Sequence, residues 1–237
     1  MSDVGIFIPT RLGSTRLPKK PLADIHGKQM LLHVAEKAKL SKCGDVIVAC
    51  AEQELADLSN TNGFEAVLTD PEINTGTDRI YAAYKKLGRD YKYIVNLQGD
   101  IPSINPNTIK VAVDILKKSN HDISTVASIA ASEREKIDPN TVRAIIASNG
   151  KALYFTRAAL CPHGEGDLYH HIGLYVYRAE ALEKFVKLPQ SPLEKREKLE
   201  QLRALENDMT IGIGIVDDFA IGVDTPEDLE VVRKYMK

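Results

Sequence analysis

The chain has 237 residues, with 31 Lys and Arg against 33 Asp and Glu and a formal net charge of −2. That length allows one large α/β domain, or one domain with a sizeable insertion, around a substantial core. A hydrophobic fraction of 43% and a well-mixed charged fraction of 27% fit an ordinary soluble globular protein and exclude a basic, nucleic-acid-coating surface.

No apolar run approaches the roughly 20 residues needed to span a bilayer. Met1-Ser2-Asp3-Val4 lacks a basic region followed by an apolar stretch, so no secretory signal is expected. Cys43, Cys50 and Cys161 are far apart and form no C-x-x-C pair, which argues against a zinc site or a disulfide framework. Reduced thiols in a cytoplasmic protein, with no membrane and no nucleic-acid partner, are the expectation.

Val4-Gly5-Ile6-Phe7-Ile8 is a short apolar run that reads as a buried strand stopped by Pro9. A Gly/Ser/Thr/Pro/Lys-rich loop follows to about Pro21, and helical spacing then runs from Met30 to Ala38. Asp45 to Cys50 reads as a second strand, Glu54 to Asn60 as a short helix and Phe64 to Leu68 as a third strand. Ile80 to Leu87 is helical, Tyr93 to Leu97 a fourth strand and Asn107 to Lys118 a helix. Strands alternating with helices predict a doubly wound, mostly parallel sheet with helices on both faces. Ligands of such sheets sit outside the carboxyl ends of the strands, where the loops from Thr10, Ala51, Asp70 and Gln98 would lie.

The second half is richer in β signals. Ile123 to Ala130, Val142 to Ala147, Leu153 to Phe155 and His170 to Tyr177 read as strands separated by polar turns. Ser191-Pro192-Leu193-Glu194 carries the Ser, Pro and Glu of a capping box, and Thr225-Pro226-Glu227-Asp228 repeats the arrangement for a last helix. No repeat or linker is visible. The expectation is a single domain over residues 1–237 with a smaller β-rich lobe at about 125–210.

The loop from Pro9 to Pro21 holds Arg11, Arg16, Lys19 and Lys20 together with Gly13 and Ser14. Small residues let backbone N–H groups approach phosphates, and fixed cations hold them. A solvated basic turn is the competing reading. No G-x-x-x-x-G-K-S/T spacing is present, so it is not a Walker loop, and no G-x-G-x-x-G follows the first strand. Asn74 to Arg79 reads as a capped helix start. In Gln98-Gly99-Asp100-Ile101-Pro102 the acid suits either a turn or Mg2+, which takes one or two carboxylates plus phosphate oxygens and water.

These strings resemble the 3-deoxy-manno-octulosonate (KDO) cytidylyltransferase family, of the nucleotide-diphospho-sugar transferase type. The Pro9–Pro21 loop is similar to the family's R-x-x-S-T-R-L-P-x-K-P-L, with Lys19 where Gly is usual. Asn74 to Arg79 is similar to S-G-T-D/E-R, the 98–102 segment to Q-G-D-x-P, and Gly222 to Leu229 to G-I/V-D-T-P-E-D-L. Ala152 to Arg157, His171 to Arg178, and Ser191 through Arg203 resemble A-L-Y-F-S-R, H-L-G-x-Y-x-Y-R and S-P-L-E…L-E-Q-L-R. The resemblance runs from about Ile6 to Val232.

It implies an enzyme that joins CTP to a KDO-type sugar acid for lipopolysaccharide biosynthesis. Arg11, Ser14, Arg16, Lys20, Thr77, Asp78, Arg79 and Gln98 would bind the nucleotide. Asp100 and Asp224 would hold Mg2+, and those two with Lys20 and Arg16 would be catalytic. Arg157, His171, Glu200 and Gln201 would bind the sugar acid, although alone each reads as an ordinary surface, sheet or helix residue. A homodimer is implied on the same ground. Two departures stand out: Ala49-Cys50-Ala51-Glu52 where the family usually has A-T-D-D, and Ala159 to Gly164, which lacks the usual Arg or aromatic. They leave open a related sugar acid, of the 8-amino or sialic type, or a CTP-binding regulatory protein. Ser14 to Pro18 argues against the sialic group, which typically reads S-K-G-x-P there.

Overall fold

All seven residues of β1 (Val4–Thr10) are buried, which requires cover on both faces of the sheet it enters. This computed structural model describes residues 2–129, 141–159, 166–218 and 220–236. The expectations at Ala130 and Cys161, and most of the 159–164 departure, lie outside the described residues. The chain divides into two compact units, Met1–Lys110 with Phe219–Lys237, and Val111–Asp218.

In the first unit β1 pairs in parallel with β4 (Asp45–Cys50) on one side and β6 (Tyr93–Leu97) on the other, and β5 (Glu65–Leu68) extends the sheet beyond β4. The expected alternation holds, with α1 (Met30–Leu40), α2 (Gln53–Thr61), α3 (Gly76–Leu87) and α4 (Pro106–Lys118) between strands. β1 does not stop at Pro9. Its register with β6 ends at Phe7↔Asn96, whereas its register with β4 continues to Thr10↔Cys50. Pro9 therefore lies beyond the β6 ladder, where a missing N–H costs little. A hairpin of β2 (Asp24–Ile25) and β3 (Lys28–Gln29), not expected from the sequence, precedes α1.

The C-terminal helix Pro226–Tyr235 returns to this unit. Val223, Leu229 and Val232 pack with Ile25 and Met30, and the Arg233 guanidinium donates to the Asp24 carbonyl. Its capping box is the expected one: Thr225 Oγ1 accepts from Asp228 N while the Asp228 carboxylate accepts from Thr225 N.

In the second unit β7 (Ile123–Ile129) pairs antiparallel with β10 (Tyr169–Arg178), and β8 (Arg143–Ile146) pairs antiparallel with β10 and with β9 (Ala152–Thr156). β11 (Ile211–Ile215) adds in parallel to β7 and was not read from the sequence, nor was the helix Ala179–Val186. The Ile-Gly-Ile-Gly-Ile of β11 needs its glycines. A Cβ at Gly214 would come within 2.2 Å of Ile115 Cδ1, so α4 lies too close for a side chain there.

Candidate active site

The loop after β1, the start of α3, the turn after β6 and the residue two before the C-terminal helix line one cleft of about 390 Å³. Every lining residue belongs to the first unit. From the expected nucleotide-binding set, the cleft takes Arg11, Ser14, Arg16, Lys20, Arg79 and Gln98. Gly99 sits where a Cβ would be 3.0 Å from the Pro9 carbonyl oxygen. A residue without a side chain thus lets the Asp100 turn close against the end of β1.

Asp100 and Asp224 meet. The Lys20 ammonium donates to Asp100 Oδ2 at 2.7 Å and to Asp224 Oδ1 at 3.1 Å, and Arg16 Nη2 lies 2.9 Å from Asp224 Oδ2. The backbone fixes the encounter: Val223 N donates to the Asp100 carbonyl at 2.9 Å, and Ile221 N to Ser103 Oγ at 3.1 Å. Asp224 N donates to the Asp228 carboxylate, so the helix cap also orients Asp224 while leaving its side chain free of the cap. Burial pulls the Lys20 pKa down, yet the Asp100 and Asp224 carboxylates outweigh it and leave it raised. For Asp224, burial pushes up, but Lys20 and then Arg16 hold the carboxyl below its ordinary value. Among the described residues no third His, Cys, Asp or Glu completes an all-protein metal cage. Two carboxylates open to a cleft are what Mg2+ uses when phosphate oxygens and water supply its remaining ligands.

Three nucleotide-binding candidates do structural work in this geometry. Thr77 is buried and accepts from the Asn96 amide, whose Oδ1 in turn accepts from Gln98 Nε2. Asp78 closes the first turn of α3 with Thr75. Arg79, buried although it lines the cleft, donates to Thr69 Oγ1 at 2.6 Å and to the carbonyls of Asp70 and Ile73. Burial and then the Arg11 charge lower its pKa.

The four sugar-acid candidates all lie in the second unit. Arg157 follows β9; its N–H is 3.4 Å from Glu197 Oε2 and its carbonyl accepts from buried Arg143 at 3.1 Å. Glu200 and Gln201 lie between the helices Pro192–Glu197 and Leu202–Glu206, which Arg203 joins to Glu194 through Nε–Oε2 at 2.8 Å and Nη2–Oε1 at 2.6 Å. Tyr175 draws three candidates together. Its ring is 5.3 Å from that of His171, and burial, then Glu200, raise its pKa against the opposing charge of Arg157.

Burial drives the His171 pKa down to about 3, so the ring is neutral. The Thr125 hydroxyl donates to the Leu174 carbonyl at 2.7 Å and therefore accepts from His171 Nε2, 2.9 Å away. With its single N–H so engaged, His171 offers Nδ1 as an acceptor. That suits a sugar hydroxyl, and not a carboxylate, which needs a donor.

A cytidylyltransferase family profile matches residues 5–211. The 3-deoxy-manno-octulosonate cytidylyltransferase of Bartonella henselae is 51% identical over 237 residues, covering 98% of this chain and 97% of its own. That of Rhodospirillum centenum is 48% identical over 235 residues, covering 96% and 91%. The chain belongs to the 3-deoxy-manno-octulosonate cytidylyltransferase family. A CMP:2-keto-3-deoxy-manno-octonic acid synthetase solved in complex with CTP matches with a TM-score of 0.93 at 34% identity, covering 99% of this chain and 98% of its own. The 4-diphosphocytidyl-2C-methyl-D-erythritol synthase of Anaerococcus prevotii, at 12% identity and a TM-score of 0.65, shares the fold alone.

Within this family member Thr10, Asn74, Thr75 and Gly76, which the sequence placed in a ligand-edge loop and in the S-G-T-D/E-R-like element but not singly as site residues, line the cleft beside the expected cations. Taken singly they read as cap or turn residues, and caps are common away from sites. Glu52 was noted only as a departure. Both of its carboxylate oxygens accept from Leu12 N, at 3.0 and 3.1 Å.

Proposed function

We propose that this member of the family transfers CMP from CTP to the anomeric hydroxyl of 3-deoxy-manno-octulosonate, releasing CMP-KDO and pyrophosphate. One observation carries the reading: Asp100 and Asp224 converge on a single ammonium beside a cleft lined by Arg11, Arg16 and Lys20. Asp100 and Asp224 would hold Mg2+, which when bound neutralises phosphate charge and lowers the pKa of the attacking hydroxyl. Arg11, Arg16 and Lys20 neutralise the pyrophosphate leaving group, and the Gly13–Ser14 backbone lets the phosphates approach. Positioning and charge neutralisation are the main demands of such phosphoryl chemistry. Arg157 pairs with the sugar carboxylate, while His171, Glu200 and Gln201 meet its hydroxyls.

The product feeds lipopolysaccharide biosynthesis. We place the enzyme in the cytoplasm: the thiols of Cys43 and Cys50 are free, as a reducing compartment keeps them, and no helix among the described residues is long and apolar enough to cross a membrane. We also expect a homodimer. Exposed Ile129, Leu153 and Ile215 give the second unit apolar surface for that contact.

Pyrophosphate release with CTP, Mg2+ and a panel of sugar acids tests the assignment; KDO preferred over its 8-amino analogue and over sialic acid is the expected result. Asp100→Asn and Asp224→Asn should each lower turnover by at least about a hundredfold, the scale of losing one preorganised charge-stabilising group. Near-wild-type Mg2+-dependent turnover in both would end the model.

A further inference from the structure

The loop that carries the four cations Arg11, Arg16, Lys19 and Lys20 makes only local turns of its own, such as Ser14 N to the Leu12 carbonyl at 2.8 Å and Lys20 N to the Leu17 carbonyl at 3.1 Å. Its first residues are instead tied to the turn between β4 and α2. Ala51 N donates to the Thr10 carbonyl at 3.1 Å, and Leu12 N donates to both oxygens of Glu52 at 3.0 and 3.1 Å. Arg11, a cleft residue, is thereby fixed through the residue on each side of it.

The same turn also reaches Arg79. The Cys50 carbonyl accepts from Thr69 N and from Thr69 Oγ1, each at 2.9 Å, and Thr69 Oγ1 accepts from Arg79 Nη1 at 2.6 Å. Arg11 and Arg79 repel each other closely enough to lower the Arg79 pKa, and Glu52 is the first opposing charge. A carboxylate next to a polyanion site is electrostatically adverse for the ligand. It is tolerable where it holds two like charges together before the ligand arrives.

We propose that Glu52 is a positioning residue for the triphosphate: its carboxylate anchors the cationic loop at Leu12 and keeps Arg11 and Arg79 in one wall of the cleft. This rests on the cleft being the nucleotide site, and it gives a role to the position where the sequence departs from the family pattern. Glu52 is half-buried and lies outside the cleft lining; it acts through Leu12 and the two arginines.

The test compares wild type, Glu52→Ala and Glu52→Gln. Inorganic tripolyphosphate binding by titration calorimetry reads the loop directly, and the KM values for CTP and for the sugar acid come from pyrophosphate release. Glu52→Ala should weaken tripolyphosphate binding and raise the CTP KM by about tenfold, the equivalent of one charge-assisted hydrogen bond at the low end of its range. The sugar-acid KM should stay within about twofold. Glu52→Gln keeps one acceptor oxygen and should show a smaller loss in the same direction. Unchanged tripolyphosphate binding in Glu52→Gln and Glu52→Ala overturns the proposal, as does a loss spread equally over both substrates with a fallen melting temperature. If Glu52→Ala does not fold, the Gln variant decides alone. A wild type that binds tripolyphosphate but releases no pyrophosphate from CTP and any sugar acid would sink the proposed reaction while leaving the role of Glu52 readable.

Discussion

Replacing Arg203 by Met would leave the Glu194 carboxylate buried without its cation. Arg203 and Glu194 side chains are only 4% and 6% exposed, and two hydrogen bonds of 2.6 and 2.8 Å join them in a bidentate pair. Glu194 also closes the capping box with Ser191, so it cannot turn outward without uncapping its helix. Methionine keeps the aliphatic stem but loses, with the charge pairing, the guanidinium stacked 4.8 Å from the Phe185 ring centroid. Removing one partner of a buried pair costs about 3–5 kcal/mol. In a chain of this size each kcal/mol lowers the melting temperature by roughly 2–4 °C, so the expected fall is about 6–20 °C. Thermal unfolding followed by far-ultraviolet circular dichroism measures it. The double change Glu194→Gln with Arg203→Met should recover part of the loss, because a neutral amide can still accept from Ser191 N. A fall of less than about 2 °C, or no recovery in the double variant, would refute the reasoning.

The neutral state of His171 predicts a pH dependence. Its folded pKa of about 3 lies below the ordinary 6.5, so below 6.5 the unfolded chain binds a proton that the folded one does not. The stability associated with His171 is whole above pH 6.5 and falls by about 1.4 kcal/mol per pH unit as pH drops toward 3. Urea unfolding of wild type and His171→Gln at pH 7.5 and 5.5 isolates the term. A wild-type-minus-variant difference that does not change with pH contradicts burial of the neutral ring. Thr225→Ala removes the cap hydroxyl that accepts from Asp228 N, at a cost of about 1 kcal/mol. Because the same cap orients Asp224 through its N–H, turnover should fall more than the stability change accounts for. Equal activity at saturating Mg2+ would separate the cap from the carboxylate.

Much of the fold was legible because its signals are local. Apolar runs between loops located β4 and β6 to the residue, and the Ser191 and Thr225 capping boxes appear as read. The failures share a cause. β1 runs through Pro9 because β6 diverges first, a fact about a neighbour and not about Pro9 itself. β11 was not read as a strand, and its Gly214 answers to Ile115 and Val111 on α4, far away in sequence. Propensity argues against glycine in strands, and close backbone approach overrides it.

The site divides along the same line. Residue types in the loop after β1 announced an anion site, but nothing in the spacing of Asp100 and Asp224 couples them. The coupling is made by the C-terminal helix, whose apolar face docks on Ile25 and Met30 and brings Val223 N to the Asp100 carbonyl. The chemistry proposed for the cleft therefore depends on a hydrophobic contact at the far end of the chain. Arg79 makes the converse point. Read as a nucleotide contact, it is largely consumed by Thr69, Asp70 and Ile73, so its charge reaches the cleft only from inside a braced loop. The cations proposed to meet a triphosphate are braced in three ways: Lys20 and Arg16 by the Asp100 and Asp224 carboxylates, Arg79 by carbonyls and the Thr69 hydroxyl, and Arg11 through Glu52 at the Leu12 backbone; a sequence records the charges while leaving out the bracing.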